Sequence, residues 1–180
     1  MEYAVIFLPL AGAILGYFGK SISKLFSEIT TSSFTILSAI FSIIIFYNGV
    51  TKNIYQNSII FEWVNSGNFI ANWSINIDPL SSVMLVVVTL VSALVHIYSI
   101  GYMSHDPHKP RFMSYLSLFT FSMLVLVVSD NFLQLFFGWE GVGLCSYLLI
   151  GFWYKKNSAN NAAIKAFVVN RVGDFGLAIG

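Results

Sequence analysis

Charge is scarce in this chain. Only 9% of its 180 residues are Asp, Glu, Lys or Arg, against about 25% in a soluble globular domain. Cysteine is nearly absent too. The single Cys145 sits in an apolar segment, which excludes an internal disulfide framework and a cysteine metal site. No phosphate-binding glycine loop, low-complexity stretch or basic patch for nucleic acid is present, and no ligand set for haem, flavin, quinone or an iron–sulfur cluster. Nothing basic precedes the first apolar run, Met1-Glu2-Tyr3-Ala4-Val5, so a cleaved signal peptide is not expected and the first helix should persist.

What is present is apolar. Hydrophobic residues make up 57% of the chain and the mean hydropathy is +0.77. Helical segments are predicted at Tyr3–Gly19, within Ile29–Val50, at Leu80–Met103, Phe112–Ser129 and Phe132–Trp153, and from about Ala159 onward. A bilayer core needs roughly 20 helical residues. The expected fold is therefore an all-α integral membrane protein of about six transmembrane helices. It divides into helices one and two (1–50), an extramembrane loop (51–78) and helices three to six (79–180). Gly12-x-x-x-Gly16 and Gly176-x-x-x-Gly180 are small-residue spacings that allow close helix packing. Asp78-Pro79 reads as a helix start.

The loop is the exception to the helical pattern. From Ala71 to Ile77 apolar and polar residues alternate with period two within Phe69–Ile77. Ser58–Val64 is a second β-like run, and Asn65-Ser66-Gly67-Asn68 has turn chemistry. A short β-hairpin outside the bilayer is expected, because open strand edges do not survive in lipid. Net charge is only +1, but its distribution is informative. With the N-terminus outside, the cytoplasmic side receives Lys20, Lys24, Lys109, Arg111, Lys155, Lys156 and Lys165, and the opposite side only Lys52. That is a strong positive-inside bias.

Glu140 is the most conspicuous residue. The Phe132–Trp153 run contains no other ionisable acid or base, and a carboxylate near mid-membrane costs about 2.5–3.5 kcal/mol on insertion scales. Gly138, Gly141 and Gly143 thin the helix around it, so a partner helix or water can approach. A proton-relay role is expected; the competing reading is a hydrogen-bonded structural carboxylate. Arg171 and Asp174, spaced i,i+3, share a helical face and can pair, whether to lock helix six or to serve the same chemistry. His96 lies inside helix three, where an imidazole can join a proton path or simply bond a neighbouring helix. His105, Asp106 and His108 fall in a loop with two prolines that reads as a flexible connector rather than a metal site. Lys165 is expected to snorkel to the interface, and Trp63, Trp73 and Trp153 to form interfacial belts.

The run Phe136-Phe-Gly-Trp139-Glu140-Gly-Val-Gly-Leu144-Cys-Ser146-Tyr-Leu148-Leu-Ile150-Gly151-Phe-Trp153 resembles the fifth-helix signature of the antiporter-like L subunits (chain 5) of respiratory complex I. Asp78–Met84 through His96–Ser99 to Tyr102-Met103, and Lys165-Ala166-Phe167 through Asn170–Asp174, resemble the same family. The resemblance implies a long subunit with inverted repeats of broken helices, in which a helix-five Glu faces a Lys on helix seven. Glu140 stands where that Glu stands, while Arg171 and Asp174 resemble helix-six charges that help link neighbouring antiporter-like subunits. The helix-seven Lys, broken helix and long lateral helix are not in this sequence, so the basic partner of Glu140 is expected beyond it. The resemblance also implies proton translocation coupled to NADH:quinone oxidoreduction, with NADH, FMN, iron–sulfur clusters and quinone carried by other subunits and no cofactor on this chain. The implied partners are other membrane subunits and the lipid of a bacterial inner (plasma) or mitochondrial inner membrane. The large subunit of a multisubunit sodium/proton antiporter is the alternative.

Overall fold

The computed structural model describes residues 1–19, 23–52, 55–67 and 69–180. Lys20 and Asn68, used above for orientation and for the turn, lie outside the described residues. Six helices form: α1 (Glu2–Phe18), α2 (Lys24–Lys52), α3 (Pro79–Tyr102), α4 (Lys109–Val127), α5 (Phe132–Ile150) and α6 (Asn157–Ile179). Strands β1 (Gln56–Ser66) and β2 (Phe69–Ile77) separate α2 from α3 as an antiparallel two-stranded hairpin. Helices α2, α3, α4 and α5 are long and apolar enough to cross a membrane; α1 is apolar but has 17 residues. Helix α6 has 23 residues and carries Lys165, Arg171 and Asp174, which dilute its apolar character.

The helices run alternately up and down. At one end Ser58 Oγ donates to Glu2 Oε2 (3.2 Å), Asn76 N–H to Val128 O (2.9 Å) and Asn131 Nδ2 to Asn72 O (2.7 Å). The start of α1, the hairpin and the α4–α5 turn therefore share that end. At the other end Lys109 meets Glu28, and Arg111 Nη2 donates to Phe152 O (2.9 Å).

Local chemistry explains the boundaries. Asp78 caps α3 in a reciprocal box, with Ser81 N–H donating to its Oδ1 (2.6 Å), Ser81 Oγ accepting from Asp78 N–H (2.8 Å), and Pro79 at the first turn. Asn131 caps α5 by accepting from Gln134 N–H (2.8 Å). Pro9 inside α1 has no N–H for the carbonyl of Val5, four residues back. Ser38 on α2 fills that vacancy, its hydroxyl donating to Val5 O at 2.6 Å. In lipid such a repair is worth more than in water, because no solvent can do it.

Close packing follows the glycines. A Cβ on Gly16 would come within 2.5 Å of Thr31 Cγ2, and one on Gly138 within 2.8 Å of Leu126 Cα. The Gly12/Gly16 spacing thus seats α1 against α2 and α4, and Gly138 lets α5 approach the α4 backbone. Around Gly176 nothing lies within 4 Å, so the second glycine spacing is not used for packing among the described residues. The apolar core, which includes Val5, Ile75, Ile77, Leu85, Leu124 and Val128, lies where the hairpin meets α1, α3 and α4.

The hairpin forms as expected, with β1 longer than Ser58–Val64 and two register shifts, between Ile59 and Phe61 and between Glu62 and Val64. Gly67 in the turn has φ +59°, the left-handed region that favours glycine. Ala71, Ile75 and Ile77 are buried on the alternating face of β2. Its outer edge is not left open. Asn72 O takes Asn131 Nδ2, Ser74 donates to Gln134 Oε1 (3.1 Å) and accepts from Gln134 Nε2 (2.8 Å), and Asn76 N–H takes Val128 O. Side chains of α5 act as a third strand.

Candidate functional site: a charged cluster between α5 and α6

Helix α5 carries Trp139 and Glu140 side by side, and α6 presents Arg171 and Asp174 one turn apart. All four meet. The Arg171 guanidinium donates to Glu140 Oε1 and, through the same Nη1, to Asp174 Oδ2 at 3.3 Å. Trp139 Nε1–H donates to Asp174 Oδ1 at 2.8 Å. The Arg171 carbon also lies 4.9 Å from the Phe167 ring centre. With Val142, Gly143 and Asn170, these residues line a cavity of about 150 Å³, large enough for water. Gly143 keeps its wall low: a Cβ there would sit 3.6 Å from Asn170 Nδ2.

The two carboxylates differ. Asp174 is 10% exposed in its side chain, Glu140 26% and Arg171 51%. Asp174 has a donor on each oxygen, whereas Glu140 Oε2 has no hydrogen-bond partner among the described residues. One cation between two acids leaves the cluster one negative charge in excess when both are ionised.

The sequence reading placed Arg171 with Asp174, and the structure agrees. It differs on Glu140, whose basic partner was expected beyond this chain: Arg171 already contacts it. His96 is elsewhere. It is fully buried on α3, with Nδ1 2.8 Å from Ser92 O, which places the proton on Nδ1. Its Nε2 has no partner among the described residues, and no hydrogen bond joins it to the α5–α6 cluster. Trp139 was missed as a participant, although its adjacency to the buried acid was the available signal.

A second ionic site was also missed. Lys109 Nζ and Glu28 Oε1 lie 2.8 Å apart, their side chains 7% and 13% exposed. Lys109 was read as a connector-loop cation; it is the first residue of α4, turned inward against α2. The connector is tied down rather than loose: His108 N–H donates to Asp106 Oδ1 (2.7 Å) and Trp153 Nε1–H to Asp106 Oδ2 (3.0 Å). Partial burial pushes the Asp106 carboxyl up, but these donors, with nearby His108 and Arg111, outweigh it and hold it below its ordinary value. Trp153 thus anchors the loop, and Trp63 and Trp73 pack on each other and on Phe137 of α5, ring centres 5.0–6.0 Å apart. Lys165 is exposed on α6. Among the described residues no group of three His, Cys, Asp or Glu side chains is arranged to hold a metal ion.

Apolar helices long enough to cross a bilayer, with an acid–base cluster between two of them, define a multi-pass membrane protein. A structure of the membrane-bound sulfane sulfur reductase, an archaeal respiratory membrane complex, shares the fold with a TM-score of 0.78 at 19% identity, over 97% of this chain and 35% of that one. Residues 63–113 match the family model described as NADH-ubiquinone oxidoreductase (complex I), chain 5 N-terminus. Residues 129–180 match that of NADH:quinone oxidoreductase/Mrp antiporter, TM. The chain is 57% identical to NADH-quinone oxidoreductase subunit L of Rickettsia bellii over 98% of its length. It is 54% identical to NADH-ubiquinone oxidoreductase chain 5 of Arabidopsis thaliana over 100% of its length. It spans 28% and 27% of those two relatives. The chain belongs to the antiporter-like subunit L/chain 5 family of NADH:quinone oxidoreductases, matching its members' amino-terminal region.

Proposed function

We propose that this chain supplies part of a proton-translocating membrane subunit of NADH:quinone oxidoreductase, with Glu140 as an intramembrane proton relay. The observation that supports this reading is the geometry at Glu140: one oxygen on Arg171, the other without a partner among the described residues, beside a cavity that can hold water. A carboxylate so placed can take a proton from water while Arg171 keeps its charged form compensated. Arg171 and Asp174 form the charged pair that holds the site. His96, on α3, is a separate buried imidazole whose free Nε2 makes it a candidate in another part of a proton path.

Electron transfer and its cofactors, NADH, FMN, iron–sulfur clusters and quinone, belong in this reading to other subunits. The chain would lie in a bacterial inner or mitochondrial inner membrane against other membrane subunits, including a neighbouring antiporter-like one. The N-terminus and hairpin would face away from the cytoplasm or matrix, because Lys24, Lys109, Arg111, Lys155 and Lys156 gather at the opposite end. A multisubunit sodium/proton antiporter is the second reading, favoured by the Mrp antiporters named in the family model for residues 129–180.

Glu140→Gln in the full-length subunit tests the relay. The complex should assemble and oxidise NADH with an artificial acceptor normally, while NADH-driven proton uptake into inverted vesicles falls about a hundredfold or more, as for loss of a positioned proton-transfer group. Normal pumping overturns the relay; failed assembly makes Glu140 structural. Sodium-dependent pumping in the wild type would favour the antiporter reading.

A further inference from the structure

The cluster contains two acids and one base, and the partners of the two acids decide which of them is free to exchange protons. We infer that Trp139 is a positioning residue: its indole N–H holds Asp174 as the fixed counter-ion of Arg171 and so leaves Glu140 as the acid that carries the proton. This rests on the proposal that Glu140 relays protons.

Asp174 has a donor on each oxygen. Its Oδ1 accepts from Trp139 Nε1 at 2.8 Å and its Oδ2 from Arg171 Nη1 at 3.3 Å, with the side chain 10% exposed. Both bonds need acceptor oxygens. Protonating the carboxyl would remove the negative charge that strengthens both bonds, since a carboxylate accepts charge-assisted hydrogen bonds about twice as strong as neutral ones. Glu140 meets no such obstacle, since its Oε2 has no partner among the described residues and the cavity lies beside it.

Adjacency on α5 makes the arrangement possible. Successive helical residues point about 100° apart, so Trp139 and Glu140 straddle α6 and grip Asp174 and Arg171 from two sides. The result is a closed ring, Trp139–Asp174–Arg171–Glu140, in which the guanidinium is shared. With Asp174 pinned, protonation of Glu140 shifts the guanidinium toward Asp174, and release draws it back. Without the indole N–H, Asp174 Oδ1 would open to the same cavity. The two acids would then compete for one proton and the relay would lose its defined site.

The other titratable side chains on its own helices are Cys145 and Tyr147 on α5 and Lys165 on α6, and none of them has a hydrogen bond or ion pair to the ring; Tyr147 packs on Phe167 at 5.5 Å between ring centres. Helix α4, also packed on α5, carries no charged residue between Phe112 and Val127 and meets α5 through Ser122 and Cys145 (3.8 Å).

The test uses the assembled complex with the full-length subunit carrying Trp139→Phe, which keeps a ring and removes the N–H. Three results are expected. Oxidation of NADH by an artificial acceptor is unchanged, proton uptake falls roughly ten- to hundredfold, as for one hydrogen bond to a charged group, and the pH profile of quinone-coupled turnover broadens. The double variant Trp139→Phe/Asp174→Asn should pump no worse than Asp174→Asn alone, since both changes act through the same carboxylate. Wild-type pumping with an unshifted pH profile overturns the inference, as does simple additivity of the two losses. Should Trp139→Phe not assemble, Trp139→His carries the test: an assembled complex that pumps supports the need for an N–H, and one that does not overturns it. Glu140→Gln run in parallel separates the two ideas. If it abolishes pumping while Trp139→Phe pumps at the wild-type rate with an unshifted pH profile, only the role of Trp139 falls; if Glu140→Gln pumps normally, the relay itself falls.

Discussion

Two ionic sites at different positions in the bundle show how burial and charge count divide labour. Lys109 and Glu28 form a closed pair between α4 and α2, one charge of each sign, with neither side chain more than 13% exposed. Arg171, Glu140 and Asp174 form an open triad between α5 and α6, two acids to one base, with the guanidinium half exposed and a cavity alongside. A neutral pair sealed in protein has nothing to exchange and serves as a fastener. In the proposed reading, an unbalanced triad in contact with space for water can change its proton count as the guanidinium shifts between its two acids. The lesson is that an ion pair inside a membrane protein is not by itself a proton site; stoichiometry and access separate the two cases.

That contrast can be broken from either side. The largest effect is expected at the closed pair. Lys109→Met leaves Glu28 buried without its partner, a loss of about 3–5 kcal/mol in such cases, read as failure of the full-length subunit to accumulate in membranes. Replacing both, Lys109→Met with Glu28→Leu, should restore most of the accumulation, because no charge is then buried alone. Failure of that rescue would mean that the pair does more than fasten α2 to α4.

A smaller structural effect is expected at the open triad. Arg171→Met should leave the subunit accumulating better than Lys109→Met does, because the guanidinium is 51% exposed and Asp174 keeps the Trp139 N–H, while proton uptake is lost. Accumulation as poor as that of Lys109→Met would erase the distinction between the two sites.

The smallest effect concerns the connector beside the closed pair. Asp106 titrates below its ordinary value in the folded state. Its contribution is therefore complete above the unfolded-state pKa and is lost as pH falls through the lower folded value. Hydrogen exchange in the segment from Met103 to Lys109 should stay slow at neutral pH and quicken only in strong acid. Asp106→Asn should abolish that acid step. Quickening near neutral pH would show that the His108 and Trp153 contacts to Asp106 do not hold the loop.

Much of the fold was legible because its signals are local. Asp78-Pro79 announced the start of α3, alternation from Ala71 to Ile77 announced β2, and Gly12-x-x-x-Gly16 announced a close helix contact. Other features were not legible, because they depend on which surfaces meet. Gly176-x-x-x-Gly180 has the same spacing as the first pair, yet Gly176 has nothing against it. Gln134 gives no sequence hint that it completes the edge of β2. Glu28 and Lys109 are 81 positions apart (109 − 28), so their pairing is invisible to any window along the chain. The candidate site was half legible. Glu140 stood out by its cost in an apolar run, and Arg171 with Asp174 by helical spacing. Their union across two helices, and the part of Trp139 in it, were not.

The sequence by itself determined a helical membrane protein with one hairpin, because hydropathy, caps and alternation are properties of neighbouring residues. It also marked the acid whose burial demands an explanation. The tertiary structure alone decided that Glu140 shares Arg171 with Asp174, that Trp139 donates to Asp174, and that Glu140 keeps an oxygen without a partner among the described residues. Those facts depend on how α5 and α6 cross, and the direction in which a side chain reaches across a helix interface is fixed by packing and not by spacing along one chain.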